Sequence, residues 1–512
     1  YYIGKAVKNR DDLLVATPEM LSAYFRIDVR TNSEVIQVDT KQKTVRVKRI
    51  NQGEYEETYD QLILSPGAKP IIPNLPGIDD PRVFTLRNMP DMDKIKQAVE
   101  RQGIQNVIVI GGGYIGIEMA ENLHNLGLNI SIIEGMPHVL APFDDDIVPW
   151  IEQSIRQAGV TLLTNQKVQA LHPSKDHLSV ELESGDSIDG QLVILAIGVQ
   201  ADTQFLKDSG LELGPRGHLI VDEKMRTSVE GVYAVGDAVE VTHYIDGSKT
   251  AIPLAGPANK QGRIAADQIA GIDSSYKGTQ GTAIIKWLQL TAACTGFNER
   301  NLKQLGIEYN VAHVHPASHS MFYPGASTVT LKVIADAKTG RILGAQGIGK
   351  TGVDKRIDVI ATLIRMQGTV DDLVDLELCY APPFSSAKDP VNMAGMVLQN
   401  AQSGLTPLVS PLEWINTKPE QSEDIQIVNV TTPREHSRGH IPGALNIPIS
   451  QLRSRLDELN PEKPVWLHCA VGYRGYIAAR ILMQNGFSDV KNLTGGYISY
   501  KILESEIRKT IY

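Results

Sequence analysis

Asn106-Val-Ile-Val-Ile-Gly-Gly-Gly-Tyr-Ile-Gly116, together with the run that continues to Leu126, predicts the fold of this chain. Its first five residues have the pattern of a buried strand, and Gly111, Gly113 and Gly116 form Gly-x-Gly-x-x-Gly directly after it. Gly111 permits a tight turn, Gly113 lets the backbone approach a pyrophosphate, and Gly116 lets helix and strand pack closely. With a helix predicted from Ile117, the stretch indicates a βαβ unit that holds phosphates at a helix N-terminus.

The acidic residue after the next strand indicates which dinucleotide binds. Asn129 to Ile133 is predicted as a second strand, and it ends on Glu134. A carboxylate here accepts hydrogen bonds from ribose hydroxyls and repels a 2′-phosphate, which favours NADH over NADPH. The alternative is a glycine-rich turn without a ligand. Because strand, helix, second strand and acidic end all agree, we favour the nucleotide site.

Length, composition and charge exclude several classes of protein. The chain has 512 residues, more than one hydrophobic core usually serves, and its net charge of −9 disfavours nucleic acid and anionic membranes as partners. We find no membrane-length apolar run and no signal-peptide pattern, so we expect a cytoplasmic protein without a membrane partner. Three distant cysteines, Cys294, Cys379 and Cys469, fit a reducing compartment, and we predict no metal site.

Three further segments indicate a second dinucleotide site. Tyr59 to Ala68 is predicted as a strand that ends in a small-residue turn at Gly67, and Gln191 to Gly198 repeats this arrangement. Thr227 to Asp237 is predicted to bring Gly236 and Asp237 to a sheet edge, where the carboxylate can bind a ribityl hydroxyl. Taken alone, this last segment would be read as a β-turn capped by aspartate.

In this order, the segments from Tyr1 to about Met396 resemble the pyridine nucleotide-disulfide oxidoreductases. Pro253 to Ala266 and Cys379 to Asn392 look like the coenzyme A-disulfide reductase branch. The resemblance implies the cofactors FAD and NADH, coenzyme A as substrate or thiol carrier, and a homodimer formed through a C-terminal interface domain. It also implies catalytic Tyr380 and substrate-binding Lys388 and Asn259, although Tyr380 could instead be an interface aromatic.

The chain departs from this branch at two places. Relatives carry a redox cysteine in Cys-Gly-Leu-Pro-Tyr-Tyr-Ile-Gly, whereas this sequence starts at Tyr1-Tyr-Ile-Gly4, so we expect that cysteine and the first flavin-binding βαβ unit upstream of Tyr1. Cys294 and Cys379 do not match the redox position and are expected to be packing cysteines. Phe322-Tyr-Pro-Gly325 stands where relatives have Tyr-Tyr-Pro-Gly, which removes one hydroxyl near the substrate.

The C-terminal part carries a different cysteine motif. A predicted strand, Pro464 to His468, leads into Cys469-Ala-Val-Gly-Tyr-Arg474, and a helix is predicted from Tyr476 to Gln484. Backbone amides in such a loop stabilise an anion, so we expect Cys469 to be a thiolate that carries persulfide sulfur, with Arg474 adding positive charge.

Together with Gly439 to Ala444 and Asn492 to Tyr497, this motif resembles single-domain rhodaneses from about Pro411 to Tyr512. A phosphatase of the same fold has one more residue between cysteine and arginine than the four found here, so sulfur transfer is favoured. Asn429-Val-Thr431 stands where relatives have Asp-Val-Arg, and an inactive docking module stays open as an alternative.

We therefore predict an α/β chain, a two-dinucleotide-binding-domain flavoprotein with Rossmann-like FAD and NAD domains, an α+β dimerisation domain and a C-terminal α/β rhodanese domain. The predicted boundaries are 1–104 for a partial FAD-binding domain, 105–185 for the NAD-binding domain, 186–275 for the continued FAD-binding domain, 276–400 for the dimerisation domain, 401–424 for a linker and 425–512 for the rhodanese domain.

The predicted function is NADH-driven reduction of a small disulfide or persulfide on FAD, coupled to sulfur transfer on Cys469. An NADH oxidase or peroxidase would have nearly identical motifs, and the rhodanese domain argues against it. A sulfur-carrier or docking protein with an inactive flavin part is a further alternative.

Overall fold

A computed structural model describes residues 1–511 and the side chains of residues 1–507. The chain divides into two compact units. Unit 1 combines Tyr1–Gly135 with Asn165–Gly281, and unit 2 combines Met136–Thr164 with Thr282–Tyr512.

A parallel sheet in unit 1 carries the glycine-rich motif. Val83–Thr85, Leu192–Leu195, Asn106–Ile110 and Asn129–Ile133 lie side by side in this order. The two strands predicted around the motif are confirmed. The sheet also takes strands from outside the predicted boundaries 105 and 185, because strand pairing in a parallel sheet joins segments that are distant in sequence.

A second parallel pair in unit 1 joins two of the predicted strand-to-glycine segments. Leu62–Leu64 pairs with Val232–Ala234, and helix Ala255–Ile269 contacts the turn that follows the second of these strands. Both strands contribute to a core that includes Leu219 and Ala265.

The other elements of unit 1 are mostly short strands. The helices are Pro18–Phe25, Met89–Val99 and Tyr114–His124, and the strands are Ser33–Asp39, Thr44–Arg49, Gly53–Thr58, Ala68–Pro70, Val168–Pro173, Leu178–Leu182, Ser187–Gly190, Val199–Ala201, Leu219–Ile220, Val239–Thr242 and Lys249–Thr250.

An antiparallel sheet of five strands forms the first half of unit 2. Its order is Ala283–Trp287, Leu290–Gly296, Ile342–Gly349, Val329–Asp336 and Tyr309–Val314, so the last of these is an edge strand. The other helices and the short strand of unit 2 before residue 403 are Pro149–Gln157, Thr161–Leu163, Glu299–Leu305, Val353–Arg365, Val370–Asp375 and Pro390–Gln402.

A parallel sheet forms the second half of unit 2, with the order Leu408–Val409, Val490–Leu493, Val465–His468, Gln426–Asn429 and Leu445–Asn446. Its helices are Pro411–Thr417, Pro433–Arg438, Tyr473–Gln484 and Gly496–Ile511.

The predicted linker 401–424 therefore contains an edge strand and a helix of this domain. Val409 and Trp414 are both fully buried, but the two elements are too short for a periodic pattern to reveal them. Among the described residues, no helix combines the length and apolarity required to cross a bilayer.

Candidate functional site

The glycine-rich turn lies between strand Asn106–Ile110 and helix Tyr114–His124. Gly111 has φ +108°, and a Cβ there would lie 2.3 Å from the carbonyl oxygen of Ala196. A Cβ on Gly116 would lie 1.9 Å from the oxygen of Gly111, whereas Gly113 faces open space. Gly111 and Gly116 therefore close the turn, and Gly113 leaves room for a ligand.

The helix after this turn begins at Tyr114 with Gly113 as its N-cap, and no side chain caps it. It begins three residues before the predicted Ile117, because extended Gly113 already has the geometry of a cap. An uncapped helix N-terminus beside a small-residue turn suits a pyrophosphate, so the local geometry fits NADH.

Glu134 follows the strand Asn129–Ile133 and faces the same turn. Its Oε2 accepts a hydrogen bond of 2.6 Å from the backbone N–H of Gly112. The carboxylate is thus held beside the glycine loop, where the ribose of a dinucleotide lies in Rossmann-type sites.

Two glycines predicted for the flavin site are brought together by a short antiparallel ladder. Ala68–Pro70 pairs with Val199–Ala201, and the N–H of Asp202 donates to the oxygen of Gly67. Gly198 accepts a hydrogen bond from Ile71. Both glycines have positive φ, +69° at Gly67 and +121° at Gly198.

Gly236 and Asp237 follow strand Val232–Ala234, where the N–H of Val235 donates to Leu64 of the neighbouring strand. Gly236 has φ +79°, and its N–H donates to Oε1 of Gln261 at 2.7 Å. Burial raises the pKa of Asp237. A ribityl hydroxyl that donated to this half-buried carboxylate would offset that cost, so the site fits a flavin.

In the interface half of unit 2, Tyr380 and Lys388 lie on one exposed loop. Arg356 holds the base of this loop, because its Nη2 donates to Oδ2 of Asp389 at 2.9 Å and to the oxygen of Ser318 at 2.9 Å. Both members of the Arg356–Asp389 pair are almost fully buried. A buried, paired arginine of this kind fixes a loop geometrically, and no sequence motif marked it.

The loop that contains Phe322 packs against the loop that carries Tyr380 and Lys388. The N–H of Ser320 donates to the oxygens of Pro382 and Ser385, and the ring centroids of His319 and Tyr323 are 5.9 Å apart. One loop exposes the aromatic side chains of Phe322 and Tyr323, and the other exposes those of Tyr380 and Phe384.

The remaining predicted residues of the flavoprotein part differ in exposure. Asn259 is exposed on its helix and donates to the oxygen of Ala255 at 2.9 Å. Cys294 is buried in the interface sheet, as expected for a packing cysteine. Cys379 is exposed, so its assignment to packing was wrong. It precedes a breaker-rich loop rather than lying in a strand.

Cys469 lies at the turn between strand Val465–His468 and helix Tyr473–Gln484, as the motif predicts. Its side chain is buried, and the N–H of Gly472 donates to Sγ at 3.1 Å. Gly472 has φ +96°, a conformation that lets the loop curl around the sulfur. The amide of Asn492 donates to the oxygen of Gly472 at 3.1 Å and fixes this conformation.

Arg474 lies beside the loop and forms a two-bond ion pair with Glu435, at 2.8 and 2.7 Å. This pair and the cap bonds from Thr432 lower the pKa of Glu435 to about 2. The sequence did not identify Glu435, although its place three residues after Thr432 marks a capping box. Glu435 and, after it, Cys469 raise the pKa of Arg474, as expected for a guanidinium near the sulfur.

Asn429 and Thr431, which stand where relatives have a charged aspartate and arginine, form hydrogen bonds between neutral groups. The N–H of Thr431 donates to Oδ1 of Asn429 at 3.0 Å, and its hydroxyl donates to the same oxygen. Asn446 donates to that oxygen as well, at 3.0 Å. Nearby, burial lowers the pKa of His468 to about 3, so its ring is neutral behind the loop.

A buried charged cluster in unit 2 was not predicted. The ammonium of Lys332 lies 2.9 Å from Asp144, 2.6 Å from Asp146 and 2.5 Å from Glu299, and Asp146 also bonds the ring of His313 at 2.8 Å. The carboxylate oxygens of Asp144, Asp146 and Glu299 lie within 4.8 Å of one another, an arrangement that resembles a metal-ion site. Here the ammonium of Lys332 supplies the positive charge instead. The alternation of side chains along the strand Val329–Asp336 predicts that Lys332 lies on one face of the sheet. Only the tertiary structure shows that this face is buried.

Comparisons with known proteins cover nearly the whole chain. Residues 3–262 match the family described as pyridine nucleotide-disulphide oxidoreductase, residues 282–390 match the dimerisation domain of that family, and residues 412–502 match the rhodanese-like domain.

Individual proteins agree with these matches. The coenzyme A disulfide reductase of Staphylococcus haemolyticus is 34% identical over 397 residues, which are 77% of this chain and 88% of that protein. The crystal structure of reduced Bacillus anthracis CoADR-RHD has a TM-score of 0.95 and 44% identity over 99% of this chain and 90% of that one. An NAD-dependent persulfide reductase from A. fulgidus has a TM-score of 0.90 and 35% identity, over 98% and 91%. These similarities confirm the predicted fold class.

Proposed function

Because this chain belongs to the pyridine nucleotide-disulphide oxidoreductase family, we propose that it is an FAD-dependent NADH oxidoreductase that acts on coenzyme A disulfide, coenzyme A persulfide or polysulfide. We propose further that its rhodanese domain transfers sulfur on Cys469. One observation carries the proposal. A match to the pyridine nucleotide-disulphide oxidoreductase family and a cysteine loop that donates an amide to sulfur occur in a single chain.

Each cofactor has a set of residues that suits it. For NADH these are Gly111, Gly113, Gly116 and Glu134, which combine an open glycine turn with a carboxylate beside it. For FAD they are Gly67, Gly198, Gly236 and Asp237, which lie at strand ends with positive φ or a half-buried carboxylate. When bound, the flavin supplies two-electron transfer from the nicotinamide to sulfur.

Sulfur transfer on Cys469 follows from the geometry of its loop. The sulfur of Cys469 attacks the outer sulfur of a donor such as thiosulfate, the bond between the two donor sulfurs breaks, and sulfite leaves with its electron pair. The resulting persulfide passes its outer sulfur to a thiolate such as that of coenzyme A, and Cys469 is regenerated. The N–H of Gly472 and the guanidinium of Arg474 stabilise negative charge during both steps.

Reduction of the carrier persulfide completes the sequence. Coenzyme A persulfide takes two electrons and a proton from NADH, and the products are the coenzyme A thiolate, hydrosulfide and NAD⁺. Fusion of the two activities raises the effective concentration of one domain's product at the other. The rhodanese domain therefore favours a persulfide substrate over oxygen or peroxide.

A homodimer fits the interface half of unit 2. This half matches a dimerisation domain, and its two loops expose the aromatic side chains of Phe322, Tyr323, Tyr380 and Phe384. We propose that Tyr380 and Lys388 act near the substrate, where a lysine can bind the phosphates of coenzyme A. Separately, we propose Asn259 as a substrate-binding residue.

The test compares Cys469→Ser with the parent, both as the natural full-length protein, in two assays. We expect loss of thiosulfate:cyanide sulfurtransfer, because serine carries no persulfide, and unchanged NADH-driven reduction of coenzyme A disulfide. Cys379→Ser, which removes an exposed thiol, is the matched control and should retain both activities. Loss of both activities in Cys469→Ser would contradict the proposed division of labour. Faster NADH oxidation by oxygen than by coenzyme A disulfide or persulfide would favour an NADH oxidase.

A further inference from the structure

The turn from Thr494 to Ile498 packs against the loop that contains Cys469. The oxygen of Cys469 accepts a hydrogen bond of 2.8 Å from the N–H of Tyr497, and the oxygen of Ala470 accepts one of 3.1 Å from Ile498. Gly496 lies so close that a Cβ there would be 2.7 Å from the oxygen of Cys469. The loop and this turn therefore pack directly against each other.

The other side of the turn is bonded to the interface sheet. The backbone N–H of His313 donates to Oγ1 of Thr494 at 2.7 Å, and that hydroxyl donates to the oxygen of His313 at 3.4 Å. His313 belongs to the edge strand Tyr309–Val314, whose outward backbone groups have no neighbouring strand in the sheet. Thr494 thus satisfies one donor and one acceptor that the edge leaves open.

A second hydrogen bond joins the interface domain to Ser499, on the helix that follows this turn. The ring of His315 bonds Oγ of Ser499 through Nε2 at 2.7 Å and Oγ1 of Thr330 through Nδ1 at 3.0 Å. Burial and the neighbouring His313 lower the pKa of His315 to about 3, so the neutral ring can donate on one side and accept on the other.

The edge strand is itself held rigidly. Nε2 of His313 lies 2.8 Å from Oδ2 of Asp146, and Oδ1 of Asp146 lies 2.6 Å from the ammonium of Lys332. All three side chains are buried. A strand fixed by a buried ion network gives the turn a firm base.

We propose that the edge strand of the interface domain positions the sulfur-transfer loop, with Thr494 and Ser499 acting as positioning residues for Cys469. The inference deepens, and rests on, the proposed sulfur transfer at Cys469. A loop that must present an amide to a sulfur tolerates displacements of only about 0.5 Å. Loss of the hydrogen bonds made by Thr494 or Ser499, on the side of the turn away from Cys469, is therefore sufficient to lower the rate of sulfur transfer.

The test uses four variants of the natural full-length protein. Thr494→Val keeps the shape but removes the hydroxyl, and Thr494→Ser restores it. Ser499→Ala removes the bond to His315. Ser505→Ala is the matched control, because Ser505 lies on the same helix and bonds only the local oxygen of Ile502 in the described contacts. The measurements are kcat and KM of thiosulfate:cyanide sulfurtransfer, NADH-driven disulfide reduction and Tm.

We expect Thr494→Val and Ser499→Ala to lower kcat of sulfur transfer about five- to tenfold with little change in KM, as for the loss of one hydrogen bond. Thr494→Ser should return to within about twofold, and Ser505→Ala should match the parent. NADH-driven reduction should be unchanged in all four.

Two results would overturn the inference. One is a parental kcat in both Thr494→Val and Ser499→Ala, even with a lower Tm, since that pattern indicates a structural role alone. The other is an equal defect in Thr494→Ser and Thr494→Val. Full sulfur transfer by Cys469→Ser would instead overturn the proposed function, and the inference with it.

Discussion

Replacement of Lys332 by methionine should destabilise unit 2 severely. The lysine is fully buried, and its ammonium lies within 2.9 Å of three carboxylates. Although burial opposes it, Asp144, Asp146 and Glu299 hold the pKa of Lys332 well above its ordinary value. Methionine fills similar volume but leaves these acids together without a cation.

The expected cost is about 3–5 kcal/mol, which is typical for removal of one partner from a buried ion pair. For a unit of this size, each kcal/mol lowers Tm by about 2–4 °C, so we expect a fall of about 10 °C. The matched control is Lys303→Met. Its ammonium lies 3.9 Å from the same Glu299 but is 58% exposed, so its loss should cost at most about 1 kcal/mol.

The pH dependence gives a second signature. Acids left together in Lys332→Met should bind protons more tightly when folded than when unfolded, so the variant's stability should rise as pH falls from about 8 to about 5. In the parent, Lys332 and His313 hold the pKa of Asp146 below its ordinary value against the effect of burial, and that contribution is lost only as pH falls through the folded pKa.

Differential scanning calorimetry at several pH values measures both effects. The reasoning would be refuted if Lys332→Met melted within about 3 °C of the parent at pH 8, which corresponds to no more than about 1 kcal/mol. A deficit that grew as pH fell would also contradict it.

Three further predictions concern the proposed sites. Glu134→Arg should lower the kcat/KM ratio of NADH to NADPH at least about tenfold, because arginine can pair with a 2′-phosphate; steady-state kinetics with both nucleotides checks this, and an unchanged ratio would remove the assignment. Asp237→Ala should lower the flavin-to-protein absorbance ratio without unfolding the protein, and full flavin retention would show that other residues suffice. Arg474→Lys should lower sulfurtransfer about tenfold, since lysine cannot form the two-bond pair with Glu435; parental rates would exclude this role.

Local patterns in the sequence were sufficient where chemistry depends on a short stretch of backbone. Strands 106–110 and 129–133 were predicted correctly, because a buried parallel strand reads as a continuous apolar run and glycines mark the turn after it. The loop from Cys469 to Arg474 was likewise recognisable, since its strand, turn and helix are contiguous.

Tertiary structure alone determined the contacts between distant segments. Leu192–Leu195 joins the nucleotide sheet from outside its predicted boundaries, and Glu435 reaches Arg474 across 39 residues. Asp146, Glu299 and Lys332 converge although each alone would be read as a surface charge. Such pairs carry no local signal, because their spacing in sequence is set by loop lengths and their energy arises only when the fold removes water around them.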